Sequence, residues 1–188
     1  MRGSLAAALT SLLLIGATAA LAQDDSHLYT QKGSTDFYAG AGFAKQTNDG
    51  APDGSIGAQG GLNWMLSSGL GVGAMAGYYV LGSQTVAGVK TSYQLIPVTG
   101  QLSYTLSKGS SFRPYLDGGA GLYFNRVSQD PGTSDSNSRF GWNAGAGFEV
   151  MSGSMGYGID AKYHILPKKD LEPESGKVLS AMGTLHFH

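Results

Sequence analysis

The sequence predicts an all-β fold, namely an eight-stranded antiparallel up-and-down transmembrane β-barrel. Two observations carry this prediction. Apolar and polar residues alternate with a period of two in eight segments, and the connections between those segments alternate between short and long. Alternation with a period of two is typical of a strand that has one apolar and one polar face, whereas a helix repeats every ~3.6 residues.

The chain begins with a predicted signal peptide over residues 1–22. Met1 and Arg2 form a short positive start, an apolar stretch follows over 5–20, and Ala20-Leu21-Ala22 matches the small-x-small cleavage pattern. The next three residues are polar, where an anchoring helix would need basic flanks. We therefore expect cleavage after Ala22, a short periplasmic segment over 23–33 and a barrel over 34–188.

The clearest strand is predicted over residues 154–165, and segments 112–125 and 139–150 alternate in the same way. In the first of these, one face carries apolar side chains and the other carries glycine, serine and charged or imidazole groups. The apolar face is Met155, Tyr157, Ile159, Ala161, Tyr163 and Ile165. Weaker copies of the pattern lie at 35–45, 55–66, 70–81, 96–106 and 178–187.

Seven connections join these strands, and they alternate strictly in length. Short turns are predicted at 67–69, 107–110 and 152–153, and long polar loops at 46–54, 82–89, 127–138 and 167–176. One end of the sheet therefore holds all the tight turns, as in outer-membrane barrels with short periplasmic turns. An even strand number also lets the sheet close, which avoids unpaired backbone groups in hydrocarbon.

The apolar face is predicted to meet lipid, because its aromatic residues gather toward both strand ends, as interfacial belts do. A soluble barrel with an apolar interior is the alternative. The polar face favours the membrane barrel, since its many glycines and its charges suit a crowded interior where charges must pair. The predicted interior polar network is Arg113, Asp117, Glu149, Asp160, Lys162 and His164. We expect Ile159→Arg to block insertion and Gly158→Ala to be tolerated or mildly harmful.

Four segments resemble the small bacterial outer-membrane β-barrel family, the OmpA/OmpX-like group. They are Ile96-Pro97-Val98-Thr99-Gly100, Arg113-Pro114-Tyr115-Leu116-Asp117-Gly118-Gly119-Ala120-Gly121, Phe140-Gly141-Trp142-Asn143-Ala144-Gly145-Ala146-Gly147 and Asp160-Ala161-Lys162-Tyr163. The resemblance implies a location in the outer membrane, in contact with its lipid and lipopolysaccharide. It also implies that Phe187 is the aromatic signal read by the barrel-assembly machinery, although His188 follows it here.

Several chemistries are disfavoured by the sequence. A net charge of −1 with 13% charged residues and no basic stripe gives no case for nucleic acid. The absence of cysteine excludes disulfides, thiol nucleophiles and cysteine metal sites. His186 and His188 share a strand face, but two ligands near a flexible terminus are a poor metal site without a third. We therefore predict no cofactor and no metal.

The leading functional prediction is a structural or surface-interaction protein with an interior filled by ion pairs. The alternative is a narrow channel for small or hydrophobic solutes, because inward glycines leave side chains out of the lumen. A lipid-modifying enzyme is third. It would need a serine close to a histidine on the lipid-facing surface, and parity places His164 and His186 inward with no serine beside either in the sequence. No catalytic residue is therefore predicted. An extracellular partner of the loops at 130–137 and 167–174 stays unidentified.

Overall fold

The computed structural model describes residues 32–107, 110–168 and 176–188, and these form a closed barrel. Each strand pairs antiparallel with the next, and the last pairs with the first. The predicted fold class is thus confirmed. The predicted signal peptide and most of the segment 23–33 lie outside the described residues. The strands are β1 (Thr35–Gln46), β2 (Ser55–Ser67), β3 (Leu70–Val86), β4 (Val89–Thr105), β5 (Phe112–Asp130), β6 (Ser134–Ser152), β7 (Met155–Leu166) and β8 (Gly176–Phe187).

The barrel closes along a seam between β1 and β8. Phe37 lies opposite Phe187 at the tight-turn end, and the pairing continues to Gln46 opposite Val178 at the loop end. Over the part of the barrel where all eight strands pair, the ladder gives backbone N–H and C=O groups partners on both sides of each strand, as a hydrocarbon environment requires. No helix within the described ranges is long and apolar enough to cross a membrane.

Two hairpins extend further than the sequence pattern predicts, so the loops predicted at 82–89 and 127–138 are wrong. β3 and β4 stay paired up to Val86 opposite Val89, and Ala87 and Gly88 form the turn with φ values of 48° and 82°. Positive φ at both central residues is typical of a tight type I′ hairpin turn. The added strand segments are mainly polar, so they lack the apolar alternation that marks the spanning strands.

The outward face is the apolar one. Many of the large apolar side chains that point away from the lumen are 39–70% exposed, with Trp64 at 55% and Phe140 at 63%. Exposed aromatics near the tight turns are Phe37, Trp64, Tyr104, Phe112 and Phe187, and those nearer the loops are Phe43, Tyr78, Phe124, Phe140 and Trp142. Phe148, Tyr157 and Tyr163, which parity places on the same outward face, are only partly exposed.

Inward glycines make room for large side chains that cross the lumen. A Cβ atom built on Gly147 would lie 2.5 Å from the Tyr115 ring, and one on Gly141 would lie 2.9 Å from the Tyr123 ring. Contacts this short do not occur in packed proteins, so only glycine fits beside these rings. The space left by the missing side chains is therefore occupied by tyrosine.

Candidate functional site: the barrel interior

The centre of the lumen contains a buried ion-pair cluster around Lys162. The Lys162 Nζ atom on β7 donates to Asp117 Oδ2 on β5 and lies 3.0 Å from Asp160 Oδ2. Asp160 also accepts from Gln59 Nε2 at 2.9 Å and from the Tyr115 hydroxyl at 3.1 Å. The two carboxylates thus share one ammonium group and two neutral donors, as a buried charge requires.

Strand register explains why Lys162 and Asp117 meet although β6 separates their strands. Asp117 lies opposite Gly145 on β6, and Gly145 lies opposite Lys162 on β7. A Cβ atom on Gly145 would be 2.5 Å from Asp117 Oδ1 and 2.8 Å from Lys162 Cγ. Glycine at this position lets the two side chains cross the intervening strand.

A second polar group surrounds His164, which is fully buried. Its Nδ1 atom is 3.1 Å from the Tyr123 hydroxyl and its Nε2 atom is 3.3 Å from Ser180 Oγ. Asn143 Nδ2 donates to the same Tyr123 hydroxyl at 3.2 Å. A serine therefore does lie beside His164 in space, although none is near it in the sequence. Ser180 is 1% exposed and faces the lumen, away from the lipid-facing surface where a lipid substrate would bind.

A third group lies at the tight-turn end. Arg113 NH1 is 3.6 Å from Glu149 Oε1. The other carboxylate oxygen, Glu149 Oε2, lies 3.4 Å from His186 Nδ1 and 3.3 Å from His188 Nε2. Asp36 Oδ2 lies 3.0 Å from His186 Nδ1. The six predicted interior residues are therefore all inward but distributed over three groups along the barrel axis.

Two of the cavities that the described residues form lie along the lumen. The larger, about 480 Å³, is near the loop end and is lined partly by Asp49, Tyr93, Arg126 and Arg139. The smaller, about 60 Å³, is nearer the tight turns and touches Arg113, Lys162 and His186. A buried apolar cluster lies below the larger cavity, and it consists of Ala44, Tyr79, Leu81, Leu95, Tyr123, Leu166, Val178 and Met182. This apolar layer inside the barrel was not predicted from the sequence.

Comparison with known families decides the class of this barrel. The family model described as outer membrane protein beta-barrel domain matches residues 7–182. The chain belongs to this family. It is therefore a protein of the outer membrane, and the predicted location and the predicted resemblance are confirmed. A search of the curated proteins finds no match.

Solved outer-membrane barrels share the fold of this family member at low sequence identity. Neisserial surface protein A (NspA) superimposes with a TM-score of 0.65 at 14% identity, covering 81% of this chain and 96% of that one. Ail of Yersinia pestis gives 0.58 at 19% identity, covering 84% and 99%. OprG of Pseudomonas aeruginosa gives 0.52 at 17% identity, covering 85% and 99%.

Several interior residues of this outer-membrane protein were missed from the sequence. They are Asp36, Gln59, Tyr115, Tyr123, Asn143 and Ser180. Strand parity already placed most of them on an inward face, but parity does not say which strand-to-strand offset applies. Their contacts depend on that offset. The sequence therefore indicated which side chains point inward, but it did not indicate which of them contact one another.

Proposed function

We propose that this outer-membrane barrel is a structural or surface-interaction protein whose lumen is closed by its own side chains. The observation that carries the proposal is the packing between the two cavities. Tyr79, Tyr123, Lys162 and His164 are all less than 2% exposed there. An eight-stranded barrel is just wide enough for side chains to fill it, so these residues suffice to interrupt a water path.

Hydrogen bonds connect two of these closing side chains, Tyr79 and Lys162, through Gln59 and Asp160. The Tyr79 hydroxyl donates to Gln59 Oε1 at 2.7 Å, and the other end of that amide donates to Asp160, which contacts Lys162. Opening a path would break several of these bonds at once and leave buried polar groups without partners. The network therefore supports a barrel that stays closed.

The surface-interaction part of the proposal rests on a sheet that extends past the membrane. β5 and β6 each have 19 residues. A spanning strand needs about 9–11 residues, so about eight residues, or roughly 26 Å of strand, project beyond it. The β4–β5 ladder continues to Lys90 opposite Asp130, which joins β3, β4, β5 and β6 into a projecting four-stranded sheet.

Both sides of this projecting sheet end, within the described residues, in strand edges with no further paired strand, although Gln84 on β3 donates through its side chain to Gly50 O of the β1–β2 loop. The last pair between β6 and β7 is Trp142 with Ile165, and the last pair between β2 and β3 is Gly57 with Tyr79. In the described part of the chain, residues 80–86 and 134–141 thus have a strand neighbour on one side only. Open edges can accept an added strand from another protein, which suits recognition of a partner outside the cell.

Two of the barrels that share this fold have names that refer to a surface location or to attachment. One is called a surface protein, and the other is called an attachment invasion locus protein. At 14% and 19% identity, this likeness extends to the fold alone. The surface role of this chain is therefore argued from its own projecting sheet, and contacts with lipopolysaccharide and with the barrel-assembly machinery through Phe187 belong to the same proposal.

A narrow channel is the second candidate, because cavities exist toward both ends of the lumen. Planar-bilayer recording separates it from the closed barrel. The native protein is expected to give no discrete openings, whereas a variant with Tyr79→Gly and Tyr123→Gly is expected to conduct, since both rings lie in the closing layer. Reproducible openings of the native protein would overturn the closed lumen. Circular dichroism and protease protection confirm that each protein is folded and inserted.

Cysteine labelling tests which end of the barrel faces outward. The chain contains no cysteine, so a single introduced thiol reports one position. Thr133→Cys, at the exposed β5–β6 tip, is expected to react with a membrane-impermeant maleimide on intact cells. Ser68→Cys, in the exposed β2–β3 turn, is the matched control and is expected to react only after the outer membrane is permeabilised. The opposite pattern contradicts display of the projecting sheet.

A further inference from the structure

We propose that Asp36, His186 and His188, with Glu149 beside them, form a binding site for a divalent transition-metal ion of the zinc class at the tight-turn end of the lumen. One ligand atom from each of the first three residues lies within 4.8 Å of the other two. Imidazole nitrogen together with carboxylate oxygen is a donor set that zinc takes in proteins. The inference does not depend on whether the lumen is closed.

The distances between the donor atoms are near those around a tetrahedral ion. His186 Nδ1 lies 3.0 Å from Asp36 Oδ2, and His188 Nε2 lies 4.0 Å from Asp36 Oδ1. A metal with bonds of ~2.0–2.1 Å to nitrogen or oxygen separates neighbouring tetrahedral ligands by about 3.3 Å. The observed separations lie on both sides of that value, so small side-chain rotations bring the three donors around one ion.

Glu149 supplies a second carboxylate at the same place. Its Oε2 atom lies 3.4 Å from His186 Nδ1 and 3.3 Å from His188 Nε2, whereas Oε1 faces Arg113. Asp36 and Glu149 together offset the double positive charge of the ion, which a water-poor site requires. Because Glu149 Oε2 lies beside both imidazole donors, Glu149 is the side chain that we assign to the fourth position.

Strand register brings Glu149 on β6 to the two histidines on β8. The intervening strand β7 carries Gly156 opposite His186. A Cβ atom on Gly156 would lie 2.9 Å from Glu149 Oε2 and 3.2 Å from His186 Cβ. The absence of a side chain at this position is what allows the glutamate to reach across.

The donors are shielded and held in place. The side chains of Asp36, His186 and His188 are 14%, 7% and 4% exposed. His186 Nε2 lies 3.2 Å from Thr184 Oγ1, so its other nitrogen, Nδ1, faces the carboxylates. Outer contacts of this kind orient metal-binding imidazoles in proteins. The main-chain N–H of His188 donates to Ser154 O at 3.1 Å, which anchors the last residue on the β6–β7 turn.

The sequence-based expectation of no metal site considered two ligands at a flexible end. The third ligand, Asp36, lies 150 positions from His186 and meets it only because β1 and β8 pair. The small cavity touches Asp36, Glu149 and His186, so an ion has space beside its ligands. Without a metal, the same imidazoles and carboxylates would only contact one another, and the experiment separates these two states.

The test is a zinc titration of the tag-free exported protein, refolded in detergent micelles and stripped with a chelator. Calorimetry is expected to show one Zn²⁺ per barrel, and Co²⁺ is expected to give the visible absorption of a tetrahedral site. His186→Ala and His188→Ala are expected to weaken binding by roughly 100-fold or more, and Glu149→Gln by about 10–100-fold. His27→Ala, which removes a histidine that precedes the strands, is the matched control and leaves the affinity unchanged.

Failure to bind Zn²⁺ while circular dichroism shows a folded native barrel would overturn the site. Equal affinities for the native protein and a folded His186→Ala variant would overturn it as well. If the histidine variants do not fold, Asp36→Asn serves instead, since it retains the shape of the side chain and removes a charged ligand. The native protein is expected to gain thermal stability on adding Zn²⁺, and folded Asp36→Asn is expected to lose both this gain and tight Zn²⁺ binding. Retention of both by the variant contradicts the proposal.

Discussion

Replacement of Lys162 by methionine is expected to lower the free energy of unfolding by about 3–5 kcal/mol, because it leaves two buried carboxylates without their shared cation. The Lys162 side chain is 1% exposed and contacts both Asp117 and Asp160. Methionine has a similar length, so little of the loss comes from an empty cavity. Urea unfolding in micelles, followed by the fluorescence of Trp64 and Trp142, measures the change.

A second substitution separates charge from packing at this site. Adding Asp117→Asn to Lys162→Met removes one orphaned charge and leaves Asp160 with donors from Gln59 and Tyr115. The double variant is therefore expected to be more stable than the single Lys162→Met variant. A single variant within about 1 kcal/mol of the native protein would mean that the ion pairs contribute little to the folded state.

Ile159→Arg is expected to cost roughly 2–4 kcal/mol of membrane stability, because it places a cation on the lipid-facing surface far from either interface. Ile159 lies on the outward face of β7, four residues beyond Met155. Met155 pairs with Phe187, which belongs to the aromatic belt at the tight-turn end. The inserted fraction, measured by protease protection after folding into vesicles, is expected to fall sharply.

Val86→Arg is the matched control for this charge. Val86 is 70% exposed at the tip of the β3–β4 hairpin, beyond the spanning region, so a cation there meets water. Its insertion is expected to equal that of the native protein, and equal insertion of the Ile159→Arg variant would contradict the assigned lipid face. The tolerance that the sequence pattern predicts for Gly158→Ala does not fit the structure, because its Cβ atom would lie 2.3 Å from Phe148 O and the strands would have to shift.

The number of strands, their order and the faces of their side chains were predictable from the sequence. Alternation along a strand and the length of a connection are both local properties of the chain. Residues such as Asp160, Lys162 and His164 alternate with apolar neighbours, so their common inward face follows from the chain alone. The same parity placed Ile159 and Tyr163 outward. The sequence did not predict the full length of β3 to β6. Their projecting parts have water on both faces, so apolar and polar residues do not alternate there.

Only the tertiary structure decided which inward residues meet. Lys162 contacts Asp117 across β6, His164 meets Ser180, and Asp36 meets His186 across the closing seam. Each contact depends on the offset between paired strands and on the stagger with which the barrel closes. A one-residue change in either would separate these groups without altering the local pattern. The sequence therefore determined a barrel with a polar lumen, and the register of its eight ladders determined the ion-pair network and the metal site proposed within that lumen.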